Sequence, residues 1–176
     1  PSGGGVMFYN DNSYYDGTWI NGLKAVKGKM YYNDKSTYEG EWLNDKQHGT
    51  GVYTLSSGDM YEGAWENGMM QGKGIYTFAD GSKYIGEFIA NAFSGFGILY
   101  YASGERYEGE FSNGKFNGEG SLYFENGDVL VCEYLNGIKN GKSYLKLSSG
   151  MEIYSTYANG EIQGNVNIKY ADEIGR

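Results

Sequence analysis

The sequence predicts an all-β chain: an elongated twisted rod of stacked antiparallel β-hairpins, a single-layer sheet with no helices. Three observations predict it. Glycines 17, 40, 63, 86 and 109 recur at a fixed interval of 23 residues, and Cys132 and Ser155 continue the series. An aromatic follows each position by two residues (Trp19, Trp42, Trp65, Phe88, Phe111, Tyr134, Tyr157), and Tyr15, Tyr38, Tyr61, Tyr84, Tyr107, Leu130 and Ile153 precede it by two. Within each interval side chains alternate with the period of two that sends neighbours to opposite faces of a strand. A fixed period of about 20–50 residues marks a repeat architecture, whose units bury their apolar faces against one another.

Residues 38–60 show how one unit reads. Tyr38-Glu39-Gly40-Glu41-Trp42 alternates rings and glycine with carboxylates, which is a strand. The polar cluster Asn44–Gly49 is expected to be a turn, Gly51–Leu55 a second strand, and Ser56–Asp59 the turn into the next unit. A helix is excluded because every segment carries glycine, at about 1 kcal/mol each against alanine. A ring can lie flat only over a neighbour without a side chain, so aromatics packed on strand glycines would replace a second layer. Glycines 58, 81, 104, 127 and 150 close turns where a positive φ is expected. Seven units of two strands at about 4.8 Å would span about 70 Å.

These units divide one domain, 1–176, into a partial repeat 1–14 and full repeats 15–37, 38–60, 61–83, 84–106, 107–129, 130–152 and 153–175. Gly3, Gly5, Met7, Tyr9 and Asn12 match the second half of a repeat, so the start reads as a cut through a longer array. Val26 and Lys35 stand at glycine positions of the first full unit. Near the other end Cys132, Ser143, Ser155 and Val166 replace glycines and crowd that face, as in a cap.

Composition narrows the function. Thirty glycines with one proline do not signal disorder here, because the glycines are periodic and 17% of residues are aromatic. A net charge of −8 disfavours nucleic acid and direct membrane binding, since both attract basic surfaces. One cysteine fits a reducing, cytoplasmic setting. No apolar run approaches 18 residues, so the chain as given reads as soluble.

Candidate chemistry is sparse. His48 is the lone histidine, at a position read as a solvated loop, and it stands 84 residues from the lone cysteine. No nucleophile–histidine pair follows from that arrangement. The Gly-x-Gly pairs at 49/51, 72/74, 95/97 and 118/120 lead into strands rather than a helix N-terminus, which excludes a phosphate loop. Glu39, Glu41, Glu62, Glu87, Glu108, Glu110 and Glu133 form a stripe read as a solvated face. No catalytic residue, cofactor or metal site is assigned.

The spacing in Tyr61-Glu-Gly63-Ala-Trp65-Glu-Asn-Gly68 followed by Gly72-Lys-Gly74-Ile-Tyr76 resembles the MORN repeat, over essentially the whole chain. The resemblance implies β-hairpin rods that are mostly non-catalytic: scaffolds of cytoskeletal or membrane-apposed assemblies, or docking grooves for partners. The chain is therefore expected to be a protein-interaction scaffold and not an enzyme, or alternatively a targeting or lipid-binding module of a larger enzyme. A one-layer sheet should leave its rings partly uncovered, which makes Tyr38, Trp42, Tyr61, Trp65, Tyr84, Phe88, Tyr107 and Phe111 the expected partner-binding groove. Unpaired strand edges and the apolar composition near the end point to a homodimer through the C-terminal repeats. Its expected interface is Leu130, Cys132, Tyr134, Leu145, Leu147, Ile153 and Tyr157. Cys132 reads as a small buried apolar residue, with a thiolate zinc ligand at a dimer junction as the sharper alternative.

Overall fold

A computed structural model of the chain describes residues 2–171; residue 1 of the partial repeat and residues 172–175 of the last repeat lie outside them. Every element among the described residues is a strand. The chain forms two compact units, Pro1–Ala92 and Phe93–Arg176. The first holds β1 (Gly3–Phe8), β2 (Tyr14–Ile20), β3 (Leu23–Tyr31), β4 (Thr37–Leu43), β5 (Lys46–Thr54), β6 (Met60–Glu66), β7 (Met69–Thr77) and β8 (Lys83–Ile89). The second holds β9 (Ala92–Tyr100), β10 (Arg106–Ser112), β11 (Lys115–Tyr123), β12 (Val129–Leu135), β13 (Ile138–Lys146), β14 (Glu152–Ala158) and β15 (Glu161–Lys169). Within each unit, strands consecutive in sequence pair antiparallel, which is the all-β hairpin class expected from the repeat.

The turn inside each hairpin is two residues long, both at positive φ: Asn21 and Gly22 at 50° and 81°, Asn67 and Gly68 at 53° and 85°. That is the type I′ geometry matching strand twist, and Asn-Gly is its preferred sequence. The polar stretch 44–49 is thus mostly strand: Asn44 and Asp45 make the turn and β5 begins at Lys46. Its later polar residues oppose Glu41, where the β4–β5 ladder breaks register. The turns between hairpins place Gly58, Gly81, Gly104, Gly127 and Gly150 at φ of 97°, 91°, 96°, 89° and 90°, as expected. Lys35, at the same position, adopts 74°, and the β-branched Val26 is held at 61°. Both bear the strain of a region that suits glycine.

Register aligns the glycines into a column across the strands. Gly17 pairs with Gly28, Gly28 with Gly40, Gly40 with Gly51, Gly51 with Gly63, and Gly63 with Gly74. One tyrosine ring covers each hairpin's pair. A Cβ on Gly40 would lie 2.5 Å from the Gly51 Cα and 2.7 Å from the Tyr38 hydroxyl, so no side chain fits. Tyr15, Tyr38, Tyr61, Tyr84 and Tyr107 are completely buried. Each hydroxyl donates to the carbonyl three residues on, at the register break: Tyr38 to Glu41 at 2.9 Å, Tyr61 to Ala64 at 2.8 Å, Tyr84 to Glu87 at 3.0 Å. The indoles lock successive hairpins, with Trp42 Nε1 donating to the Gly28 carbonyl at 3.0 Å and Trp65 Nε1 to Gly51 at 3.2 Å. Rings alternate edge to face, Tyr38 lying 5.1 Å from both Trp42 and Trp65, a favoured aromatic geometry.

The sixth full repeat solves the same problem differently. Leu130 replaces the tyrosine, Cys132 and Ser143 replace the glycine pair, and all three are buried. The Cys132 thiol donates to the Glu133 carbonyl at 3.3 Å, taking the role of the missing tyrosine hydroxyl. Side chains planted on the column fill the space that a shorter residue leaves empty.

Three outcomes follow from this packing. Val26→Gly and Lys35→Gly should each raise stability by about 1 kcal/mol in urea denaturation, because each relieves a left-handed backbone; unchanged or lower stability would contradict the strain. Leu130→Tyr alone should destabilise the chain, and adding Cys132→Gly with Ser143→Gly should recover at least about 1 kcal/mol, a non-additivity that a thermodynamic cycle measures. Burial pushes Tyr15 and Tyr61 up to about 12, above the ordinary value near 10. Between about pH 10 and 12 the unfolded chain releases protons that the folded chain keeps, so stability should fall as pH rises above about 10. Denaturation midpoints at about pH 9, 10 and 11, with tyrosinate absorbance, check this.

Candidate functional site

The ring face is closed by a third set of residues at the start of each second strand. Lys24 extends its ammonium over Tyr9, Tyr15 and Trp42 at 5.4, 5.7 and 5.4 Å, and pairs with Asp45 at 3.8 Å. Gln47 occupies the same place one repeat on, where its Nε2 donates to the Tyr32 hydroxyl at 3.0 Å. In the second unit Phe116 stacks on Tyr107 at 3.7 Å, and Lys139 lies 5.1 Å over Tyr157. The covering residue changes chemistry from repeat to repeat, so no motif announces it.

That covering corrects the expectation of an open aromatic groove. Tyr38, Tyr61, Tyr84 and Tyr107 are buried completely, Phe88 and Phe111 almost so, and Trp42 and Trp65 keep only 5% and 7% exposure. These eight residues are the core of their hairpins. Near the other end Leu130, Cys132 and Tyr134 are likewise buried within the chain, while Leu145, Leu147, Ile153 and Tyr157 are half-buried. The Cys132 thiol points inward and burial raises its pKa, so it is the small buried residue of the plain reading; the thiolate zinc ligand is not supported by this geometry. His48 also departs from expectation. It belongs to β5, opposite Glu41, half-buried, with Nδ1 shielded and without a hydrogen-bond partner.

The opposite face of the first unit carries an open trough of about 930 Å³. Its floor is the glycine column itself, Gly17, Gly28, Gly40, Gly51 and Gly63, whose rings lie on the far side. One wall is the row Asp16, Lys29, Glu39, Val52 and Glu62, and the other carries Lys27 and Thr50. Register explains the rows: Asp16 pairs with Lys29, Lys29 with Glu39, Glu39 with Val52, and Val52 with Glu62. Lys29 binds Glu39 at 2.9 Å, and this hydrogen bond raises the lysine pKa. Glu41 accepts from the Thr50 hydroxyl at 2.7 Å and amide at 3.2 Å, which lowers its own pKa. The predicted acidic face is therefore a concave surface with mixed charge. The pattern of alternation placed its side chains, but the concavity had no signal in the sequence.

At the far end of the second unit β15 is exposed along its whole length and, among the described residues, pairs with β14. Ile162, Val166 and Ile168 stand on it at 42–50% exposure.

The MORN repeat family profile matches five consecutive stretches, 15–37, 38–60, 61–83, 84–106 and 107–129. A search of curated proteins found no match. Among solved structures the chain is similar to the TCP10 domain of Danio rerio CPAP in complex with a STIL peptide, with a TM-score of 0.57, 11% identity, and coverage of 89% of this chain and 71% of that one. It is also similar to the SAS-4 (dCPAP) TCP domain of Drosophila melanogaster in complex with a proline-rich motif of Ana2, with a TM-score of 0.50, 18% identity, and coverage of 88% and 90%. Identities this low establish likeness of fold alone. The matched repeats span most of the sequence and coincide with the tyrosine–glycine hairpins, and the chain belongs to the MORN repeat family.

Proposed function

We propose that this chain is a non-catalytic protein-interaction scaffold that receives partners in the trough on the carboxylate side and self-associates through its C-terminal repeats. The trough is the single observation that carries the reading, because it is a concave surface whose floor none of the described residues covers. A stable sheet without a second layer leaves that face free for a partner. The two proteins of similar fold hold peptides in their structures, which supports a protein partner here. The setting is a cytoskeletal or membrane-apposed assembly in the cytoplasm, with partner proteins rather than lipid or nucleic acid as ligands, in keeping with the −8 charge. Self-association rests on β15, whose apolar residues Ile162, Val166 and Ile168 are exposed among the described residues.

Two measurements test the reading. Affinity purification should recover protein partners with the intact chain and lose them with Asp16→Lys/Glu62→Lys, while circular dichroism stays unchanged; the same partners in both samples would sink the trough as docking face. Light scattering should give a dimer mass for the intact chain and a monomer mass for Ile162→Lys/Ile168→Lys. A monomer mass for the intact chain, or a dimer in the variant, would refute association through β15.

A further inference from the structure

Resting on the reading of the trough as a docking face, we propose that its occupant is a polyproline II segment carrying basic residues six positions apart. The trough runs across the strands along the glycine column, and its floor strands are paired on both sides. A ligand there cannot extend the sheet as an added strand, since that mode needs a free edge. Its walls are rows two residues apart along each strand, about 7 Å, too narrow for an α-helix about 10–12 Å across.

A polyproline II chain fits both width and period. It advances about 9.3 Å per three-residue turn. The hairpins beneath it repeat every two strands, about 9.6 Å. Ligand and trough therefore stay in phase over several repeats, each turn meeting the same wall position. Polyproline II makes no internal hydrogen bonds, so its carbonyls are free to accept from Lys27 on the second wall.

Charge sets the ligand's composition. On the first wall Lys29 neutralises Glu39. Asp16 and Glu62 are exposed and form no salt bridge among the described residues. They stand two hairpins apart, about 19 Å, and six polyproline II residues span about 18.6 Å. Lysines or arginines at positions i and i+6 of such a segment meet both carboxylates at once.

The test is titration of the intact chain, by calorimetry and amide NMR, with synthetic proline-rich peptides. One carries two lysines six apart, a second carries them four apart, a third replaces the lysines by glutamates, and a fourth replaces the prolines by glycines. The first peptide should bind at least fivefold tighter than each of the others, with shifts centred on Gly17, Gly40 and Gly63. Asp16→Asn/Glu62→Gln should weaken it about tenfold, a loss that added salt reproduces. Equal affinity for six- and four-residue spacing, indifference to the double variant, or no binding would overturn the proposal. Shifts confined to the ring-face residues Gln47 and Trp65 would overturn it too. Any of these outcomes, with partner capture still lost in Asp16→Lys/Glu62→Lys, would reject this occupant and leave the scaffold reading standing.

Discussion

The architecture of this chain depends on a tyrosine ring lying on two glycines, a contact that the first five full repeats are built to make. The ring can make full contact only where two adjacent strands both lack a side chain, and register brings such positions together in hairpin after hairpin. The contact does three things at once. It buries an aromatic on a sheet with no second layer, and it fixes register, since a shift of one residue would drive a Cβ into the ring. It also places the hydroxyl on the carbonyl beside the register break. In the first unit the indoles of Trp42 and Trp65 then tie their hairpins to the one before through a glycine carbonyl.

Departures from the pattern show how strict the constraint is. Where Leu130 shortens the ring position, Cys132 and Ser143 grow from the column to fill the gap, and the thiol takes over the hydroxyl's acceptor. Volume and hydrogen bonding are conserved although three residue types have changed. Val26 and Lys35 tell the complementary story. The fold imposes a glycine conformation on them, and they adopt it at a cost, because the neighbouring hairpins determine the backbone there.

Packing rings against glycine also decides which face is free. The rings consume one side, and Lys24, Gln47 and Phe116 complete its closure with ammonium–π, hydrogen-bonding and stacking contacts respectively. The other side keeps bare glycine backbone between two rows of side chains. Selection for internal packing thus leaves a trough as its by-product, and the proposed function uses the face that stability does not require.

The sequence by itself determined the repeat, the strand pairs, the ring-on-glycine contact and the positive φ at Gly58 and its equivalents. Each of these is a local property with a fixed period. Asn-Gly at 21–22, 67–68, 113–114, 136–137 and 159–160 also encoded the two-residue turns, although the polar run that follows obscured where β5 begins. Only the tertiary structure decided the rest. Whether a ring is exposed depends on what covers it from another strand, and the covering position varies from lysine to phenylalanine, so burial of Tyr38 or Trp65 had no sequence signature. The placing of His48 in a strand, the pairing of Cys132 with Ser143, and the trough behind the glycines follow from register between strands. Register is a relation between segments, and single-residue patterns do not contain it.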